Sequence, residues 1–340
     1  MNFSFIIKAS TEIGYGHLIR SKTLASSIQE LKHESDRVFY YVIGNKTLDG
    51  LLFNVCFNYK IFKSEEELFS QREKLFLDGI VIFDLLSVGD KLFNLANSSS
   101  CIVSLSPFFN HMDKVETIFH RTKYHNYLFN KKTTVHKGLE YALIQEGCEQ
   151  IDTASYKKYL NEDRMSIAVS MGGGDAANKT LKVIKQLNKL KNKYVVWIML
   201  GHGYKHSYDE LIEETKKSYH EIILAKTNSS MWKILSLNSL LILPGGITTY
   251  ESVYAGLPTI NFVENPSQRF LIQELVENNL CDKVNNIDSE ELTEKIEYYN
   301  KNRRELFIMH LNSKGVIDGL ASNRIYEIMI KGRCHYGRNC

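Results

Sequence analysis

The apolar residues of this chain occur in short runs that alternate with stretches of helical periodicity. Such runs predict buried β-strands, and in the first half they fall at residues 3–7, 38–43, 79–84 and 101–105. Helices are predicted between them, one beginning near residue 21 and one over residues 64–76. Strands that are apolar throughout and alternate with helices indicate a parallel sheet that is covered on both faces.

The same alternation restarts after a polar segment near the middle of the chain. Strands are predicted at residues 165–170, 194–200 and 240–243, with a helix at residues 178–190. Two successive halves of this kind predict an α/β fold of two Rossmann-like domains that face each other across a cleft. The predicted division is an N-terminal domain at 1–150, a linker at 151–164, a C-terminal domain at 165–325 and a tail at 326–340.

Composition narrows the classes of function. Of 340 residues, 44% are hydrophobic, which suffices for two cores, and 42 basic against 39 acidic side chains leave a net charge of +3. So balanced a surface does not argue for a nucleic-acid or a membrane partner. The sequence shows no apolar run long enough to span a bilayer, no signal-peptide pattern at its start and no C-x-x-C pair among its six cysteines. We therefore expect a cytoplasmic protein with reduced thiols.

The first candidate site follows the first predicted strand, at residues 13–20. Gly14 and Gly16 permit a tight turn and the close approach of a ligand, and the N–H groups at the start of the next helix suit an anion. His17 lies where the turn meets the helix, and Arg20 follows three residues later. The residues alone leave two interpretations open, a catalytic histidine beside a sugar phosphate or a capped turn with an incidental histidine.

Polar residues also follow other predicted strands. Asp84, Ser104 and Ser106 stand at strand ends, where ligands bind in parallel sheets, although each also suits a turn or a helix cap. A second glycine turn, which contains Gly173, follows the first strand of the second half.

The segment 244–262 is the richest in candidate binding residues. Gly246, Thr248 and Thr249 stand at the start of a predicted helix, where hydroxyls and free N–H groups suit a diphosphate. Glu251 has two acceptor oxygens for a ribose diol, but Thr248 and Glu251 also have the spacing of a capping box. Beyond the following strand, the amide side chains of Asn265 and Gln268 suit sugar hydroxyls.

Four histidines lie near one another in the sequence, at His111, His120, His125 and His136. They lack the spacing of a helical zinc site, so a polar surface segment that partly contacts substrate is favoured over a metal site.

Taken together, these motifs resemble the hydrolase of pseudaminic acid synthesis, which removes UDP from UDP-2,4-diacetamido-2,4,6-trideoxy-altrose. The Gly-x-Gly-His-x-x-Arg form of residues 14–20 is the part more specific to that hydrolase. Later motifs are shared with the glycosyltransferases that build the peptidoglycan lipid intermediate, and they lie at residues 141–144, 171–175, 245–258 and 318–325.

The resemblance implies a GT-B fold, with UDP held mainly by the C-terminal domain and with neither metal nor cofactor. It implies that His17 positions or deprotonates the attacking water. It assigns the ribose to Glu251, the diphosphate to Gly246, Thr248 and Thr249, and the sugar to Asn265 and Gln268. The other expected substrate-binding positions are Gly14, Gly16, Arg20, Asp84 and Gly173.

The sequence departs from that hydrolase mainly in the N-terminal half, for example at Lys8, where the hydrolase has an arginine, and after Asp84, where it has an aromatic residue. Three functions therefore compete: a UDP-sugar hydrolase, a glycosyltransferase that moves the sugar to a glycan, lipid or protein acceptor, and a nucleotide-sugar-binding protein without catalysis. For a transferase, the basic tail suggests contact with a membrane or an acceptor, whereas the alternative is a solvated chain end.

Overall fold

The computed structural model describes residues 1–98, 100–124, 133–226 and 231–336, with side chains given as far as residue 332. Within these ranges the chain forms two compact units. The first is Met1–Gln145 together with the chain from Asp318 onward, and the second is Glu146–Ile317. Each unit contains its own parallel sheet, so the predicted α/β class is confirmed.

The elements are numbered in chain order. The strands are β1 (Asn2–Lys8), β2 (Arg37–Ile43), β3 (Asn58–Phe62), β4 (Gly79–Asp84), β5 (Ser100–Ser104), β6 (Thr117–His120), β7 (Thr134–Lys137), β8 (Ser166–Ser170), β9 (Val195–Leu200), β10 (Glu221–Lys226), β11 (Leu240–Pro244), β12 (Thr259–Phe262) and β13 (Asp282–Val284). The helices are α1 (Gly16–Leu31), α2 (Asp49–Leu52), α3 (Glu65–Ser70), α4 (Asp90–Asn97), α5 (Thr153–Leu160), α6 (Lys179–Leu187), α7 (Tyr208–Lys216), α8 (Trp232–Leu235), α9 (Ile247–Ala255), α10 (Pro266–Glu277), α11 (Glu291–Lys301), α12 (Arg303–Ser313) and α13 (Ala321–Tyr336). Among the described residues, no helix combines the length and the apolar character needed to cross a membrane.

The order of the strands decides which loops become neighbours. In the described residues, the first sheet runs β3-β2-β1-β4-β5-β6-β7 and the second runs β10-β9-β8-β11-β12-β13, with every pairing parallel. In each sheet the strand order reverses direction once, between β1 and β4 in the first and between β8 and β11 in the second. Loops that leave such a point diverge to opposite faces and open a crevice at the carboxyl ends of the strands.

Both faces of the first sheet are covered, as the apolar runs predicted. Successive side chains of a strand point to opposite faces. Phe5 and Ile7 of β1 therefore pack in one core with α1 and α13, whereas Ile6 packs in the opposite core with α3 and α4.

The carboxy-terminal helix belongs to the first unit. Ile325 and Met329 of α13 lie in the same core as β1 and α1, and Arg324 Nη1 donates a hydrogen bond of 2.8 Å to the backbone oxygen of Glu140. The structure therefore differs from the predicted division, which put residues 318–325 in the second domain and treated residues 326–340 as a tail. The reason is that α13 buries its apolar side chains against α1, a contact that local sequence does not reveal.

The segment predicted as a linker, residues 151–164, contains helix α5 of the second unit. Asp152 begins the helix by accepting hydrogen bonds from the N–H groups of Ala154 and Ser155, at 3.0 and 2.9 Å. Tyr156 is buried and stacks on His310, with ring centroids 4.4 Å apart. A polar segment therefore forms a helix here because its few apolar side chains are covered.

The sequence pattern does not predict the edge strands β3, β7, β10 and β13 or the inner strand β6, and it predicts one helix that is too long. Most side chains of β3 and β10 are exposed or only partly buried. These two strands therefore lack the continuous apolar run of a central strand. The helix predicted at residues 64–76 ends at Ser70, and a 3₁₀ turn at Arg72–Lys74 follows it.

Candidate functional site

His17 lies in the first turn of α1, directly beside the carboxyl end of β4. Because β1 and β4 are adjacent, the loop after β1 brings His17 Nδ1 to 2.6 Å from Asp84 Oδ1. Asp84 is fully buried, whereas the His17 side chain keeps 16% of its surface exposed. In the tautomer that donates the N–H of Nδ1 to this carboxylate, the acceptor lone pair of the ring lies on Nε2.

Arg20, one turn further along α1, donates hydrogen bonds to the same carboxylate. Its Nε donates to Asp84 Oδ2 at 2.9 Å, its Nη2 donates to Asp84 Oδ1, and the residue is 7% exposed. Burial by itself raises the pKa of the Asp84 carboxyl, but the charge of Arg20 and the contact with His17 outweigh it and hold that pKa below its ordinary value. Arg20 and Asp84 thus bind each other and orient His17, and the predicted contact of these two residues with substrate stays a prediction.

The glycine turn before His17 has the geometry that glycine permits. Gly14 has φ +89°, in the left-handed region, and its N–H donates to the backbone oxygen of Ser10 at 2.8 Å. Gly16 is the first residue of α1. The helix therefore begins one residue before His17, which lies in its first turn.

Other polar residues at the strand ends of the first unit form turns. Ser104 Oγ donates to the backbone oxygen of Ser106 at 3.0 Å and accepts from the N–H of Ser106 at 3.2 Å. Both serines are buried, so the turn-forming interpretation is the one that the structure shows.

A small cavity adjoins the buried face of Arg20. It measures about 10 Å³, room for a single water, and is lined by Arg20, His120, Arg121 and Tyr141 together with apolar side chains. Arg121, which no sequence motif indicates, is 5% exposed. Its position directly after β6, at a strand's carboxyl end, was the available signal.

Of the three histidines that the structure describes at residues 111–136, two are buried and one is partly exposed. His111 is buried, stacks on Phe93 with ring centroids 4.1 Å apart, and donates from Nε2 to the backbone oxygen of Val88 at 3.1 Å. His120 is buried as well, and His136 stacks on Phe119. His125 lies outside the described residues. In the part of the chain that the structure describes, no group of three His, Cys, Asp or Glu side chains could hold a metal.

In the second unit, the loop after β11 leads straight into α9. Gly246 precedes the helix and Ile247 begins it. Gly246, Ile247 and Thr248 are partly exposed at the positive end of the helix, and of their N–H groups that of Gly246 donates to the Thr249 hydroxyl.

Thr249 is not available to a ligand. It is fully buried, and its hydroxyl donates to Asn261 Oδ1 at 2.7 Å and accepts from the N–H of Gly246 at 3.3 Å. The expected capping box between Thr248 and Glu251 is wrong, because the helix begins earlier and places Thr249 at the third helical position.

Glu251 lies in the second turn of α9 and is 1% exposed. Its backbone oxygen accepts a weak hydrogen bond from Cys148 Sγ at 3.3 Å. Burial, followed by the charge of Glu251, raises the pKa of that thiol far above its ordinary value. A role of Glu251 in binding ribose stays a prediction.

The glycine turn after β8 is held against the loop after β9. The N–H of Gly203 donates to the backbone oxygen of Gly173 at 2.8 Å, and a Cβ on Gly201 would come within 2.5 Å of that oxygen. Asp175 and Asn178 both have positive φ, and His206 and Tyr204 hold them by hydrogen bonds of 2.7 and 2.9 Å.

An internal carboxylate already occupies the start of α6. Asp175 accepts hydrogen bonds from the N–H groups of Lys179 and Thr180, at 2.7 and 2.9 Å. Of the two glycine turns in the second unit, the one before α9 is therefore the better place for an external anion.

Asn265 and Gln268 organise the loop after β12. Asn265 Oδ1 accepts from the N–H of Gln268 at 2.8 Å, and Gln268 Oε1 accepts from the N–H of Glu264 at 3.1 Å. Their side-chain oxygens thus fix the start of α10, which leaves the NH₂ groups to donate to a ligand.

No family model matches the chain. A curated relative, an uncharacterized protein of Methanocaldococcus jannaschii, is 21% identical over 281 residues, which make up 79% of this chain and 57% of that protein. The chain thus spans little more than half the length of that relative.

Solved structures match nearly the whole chain. MurG of Acinetobacter baumannii matches with a TM-score of 0.65 at 12% identity, over 97% of this chain and 100% of that one. HepE of Anabaena in complex with UDP matches with a TM-score of 0.65 at 11% identity, over 98% and 100% of the two chains. A glycosyltransferase of Rickettsia africae matches with a TM-score of 0.61 at 12% identity, over 97% and 98%. At such identities the similarity shows the fold alone, and it confirms that this chain has the α/β, two-domain GT-B fold.

Proposed function

We propose that this chain is a UDP-sugar hydrolase that acts on an amino or deoxy sugar in the synthesis of a bacterial surface glycan or a nonulosonic acid. The observation that carries the proposal is the 2.6 Å hydrogen bond between His17 Nδ1 and the buried Asp84 carboxylate, inside a Gly-x-Gly-His-x-x-Arg sequence. A histidine oriented in this way offers Nε2 as a general base.

In the proposed reaction, Nε2 of His17 accepts a proton from water as the water oxygen bonds to the anomeric carbon. The bond between that carbon and the β-phosphate oxygen breaks, and its electron pair leaves with UDP. Since UDP is a good leaving group, an acid contributes little. Asp84 stabilises the positive charge that develops on His17.

We assign UDP binding to the second unit. The start of α9 offers the N–H groups of Ile247 and Thr248 and the Thr248 hydroxyl to the diphosphate, whose charge grows as the bond breaks. HepE, which shares the fold, was solved with UDP bound. Glu251 remains our candidate for the ribose, and Asn265 and Gln268 for the sugar.

Transfer of the sugar to an acceptor hydroxyl is the second candidate. The same His17 could deprotonate an acceptor, and the fold is shared with a glycosyltransferase. The departures at Lys8 and after Asp84 lie in the first unit, where the hydrolase resemblance is weakest.

The products distinguish these functions. Purified protein is incubated with candidate UDP-sugars in H₂¹⁸O, without an acceptor, and the products are followed by mass spectrometry. We expect free sugar and UDP in equal amounts, with no ¹⁸O in the UDP, because water attacks carbon and not phosphorus. Release of UDP only after an acceptor is added would favour the transferase.

The His17→Ala variant in the same assay should bind UDP as the wild type does and release UDP from the UDP-sugar about 10²–10⁴-fold more slowly. Unchanged release by this variant would contradict the role of His17.

A further inference from the structure

One ion pair crosses the carboxyl end of the second sheet above strand β11. In the sheet, β11 lies between β8 and β12. Lys179, the first residue of α6, follows the loop after β8, and Glu264 follows β12. Their side chains meet with Lys179 Nζ 2.5 Å from Glu264 Oε2. The pair therefore joins the two loops that flank the Gly245–Gly246 turn at the end of β11.

The carboxylate end of this pair is closely tied to that turn. The N–H of Gly245 donates to the backbone oxygen of Phe262 at 2.8 Å, and a Cβ on Gly245 would come 3.1 Å from Val263 Cγ1. Glu264 is the next residue, and its own N–H is held by Gln268 at 3.1 Å. The backbone that carries Glu264 thus lies against the Gly245–Gly246 turn, and the Glu264 carboxylate holds the ammonium group of Lys179.

Stability alone is a weak reason for this contact. The side chains of Lys179 and Glu264 are 19% and 33% exposed, and ion pairs with such access to water contribute little to folding free energy. A diphosphate at the start of α9 would carry more negative charge than one carboxylate. It would therefore compete well for an ammonium group, a common ligand of phosphate.

We propose that Lys179 is a diphosphate-binding residue, and that it exchanges its ion pair with Glu264 for one with the diphosphate when a nucleotide diphosphate binds. This inference rests on the proposed function, in which the second unit binds UDP at α9. In the protein without nucleotide, the Glu264 carboxylate holds the Lys179 ammonium group. When a diphosphate binds, the same carboxylate competes with it for that ammonium group.

Substitutions at the two ends of the pair should act in opposite directions. UDP and uridine are titrated calorimetrically into the full-length protein. We expect Lys179→Gln to weaken UDP binding about tenfold and leave uridine binding unchanged, because uridine lacks the phosphates. Glu264→Gln should strengthen UDP binding, since it removes the competing carboxylate. Lys179→Arg should restore most of the affinity lost in Lys179→Gln.

A neighbouring ion pair on the same helix provides the matched control. Lys182 Nζ pairs with Asp288 Oδ2 at 2.8 Å, one helical turn further from the edge of the sheet, and Lys182→Gln should leave both affinities unchanged. Equal losses of UDP affinity in Lys179→Gln and Glu264→Gln would mean that the pair is only structural and would overturn the inference. Wild-type UDP affinity in Lys179→Gln would overturn it as well. A wild-type protein that binds no UDP would instead overturn the proposed function.

Discussion

At the scale of single residues, one buried carboxylate organises the first unit's candidate site. Asp84 accepts a hydrogen bond from His17 Nδ1 on one carboxylate oxygen and a hydrogen bond from Arg20 Nε on the other. A carboxylate without access to water is costly unless it is paired, so Arg20 makes it possible for Asp84 to stay ionised beside His17. The imidazole then has a defined tautomer as well as a defined orientation.

The contact between Arg20 and Asp84 should affect how the free energy of unfolding depends on pH. The pKa of Asp84 is lowered in the folded protein, chiefly by Arg20 against the opposing effect of burial. Its contribution to stability is therefore complete above its unfolded pKa of about 3.9 and is lost as the pH falls through the lower, folded value. In Arg20→Gln the folded pKa should rise, so the loss of stability should begin at a higher pH.

The free energy of unfolding is measured with urea at a series of pH values for the wild type and each variant. The curves of unfolding free energy against pH are then compared by their shape. Arg20→Lys, which keeps the charge but not the two-nitrogen contact, should lie between the wild type and Arg20→Gln. Parallel curves for all three proteins would contradict the proposed control of Asp84 by Arg20.

At the scale of elements, the starts of α6 and α9 differ although each follows a strand and a glycine turn. The N–H groups of α6 are taken by Asp175, at 2.7 and 2.9 Å. At the start of α9, the Thr249 hydroxyl accepts from the Gly246 N–H and donates inward to Asn261, and Ile247 and Thr248 stay partly exposed. The start of α6 is thus capped by the protein's own carboxylate, whereas Gly246, the N-cap residue of α9, has no side chain that could cap its helix.

Two adjacent threonines should therefore have separable effects. Thr249→Val leaves the buried Asn261 oxygen without its donor and should cost about 1–3 kcal/mol of unfolding free energy. Thr248→Val changes a partly exposed hydroxyl, so stability should stay the same while UDP affinity falls several-fold. Urea unfolding gives the first quantity and calorimetric titration the second. A Thr248→Val variant that binds UDP as the wild type does would exclude that hydroxyl from the diphosphate site.

At the scale of the whole molecule, the chain leaves the first unit at Gln145 and returns to it at Asp318. The returning helix α13 is part of the first core through Ile325 and Met329. The stability of the first unit thus depends on residues that are synthesised after the whole second unit.

Tryptophan fluorescence separates the two units, because both tryptophans of the sequence, Trp197 and Trp232, lie in the second. Ile325→Ala should destabilise the first unit by about 2–5 kcal/mol. We expect an earlier urea transition in part of the far-UV circular dichroism signal and an unchanged transition in fluorescence. Leu306→Ala, a fully buried change in α12 of the second unit, should shift the fluorescence transition. An equal shift of both signals in Ile325→Ala would show that the two units unfold together.

Local pattern was sufficient for the strands β1, β2, β4, β5, β8, β9 and β11, for the two-sheet α/β fold and for the junction of turn and helix at His17. These features depend on the period of apolar residues and on glycine next to a strand, both of which are local properties. The edge strands β3 and β10 are not predicted, because their partly exposed positions do not form a continuous apolar run.

What the sequence determined by itself was therefore the set of central elements and the turns between them, since each needs only its neighbours in the chain. Tertiary structure decided the pairing of His17 and Arg20 with Asp84, the inward turn of Thr249, the meeting of Lys179 with Glu264 and the return of α13 to the first unit. Each of these depends on the order of strands in a sheet or on which helix covers which face. That order brings together residues far apart in the chain, and no local period encodes it.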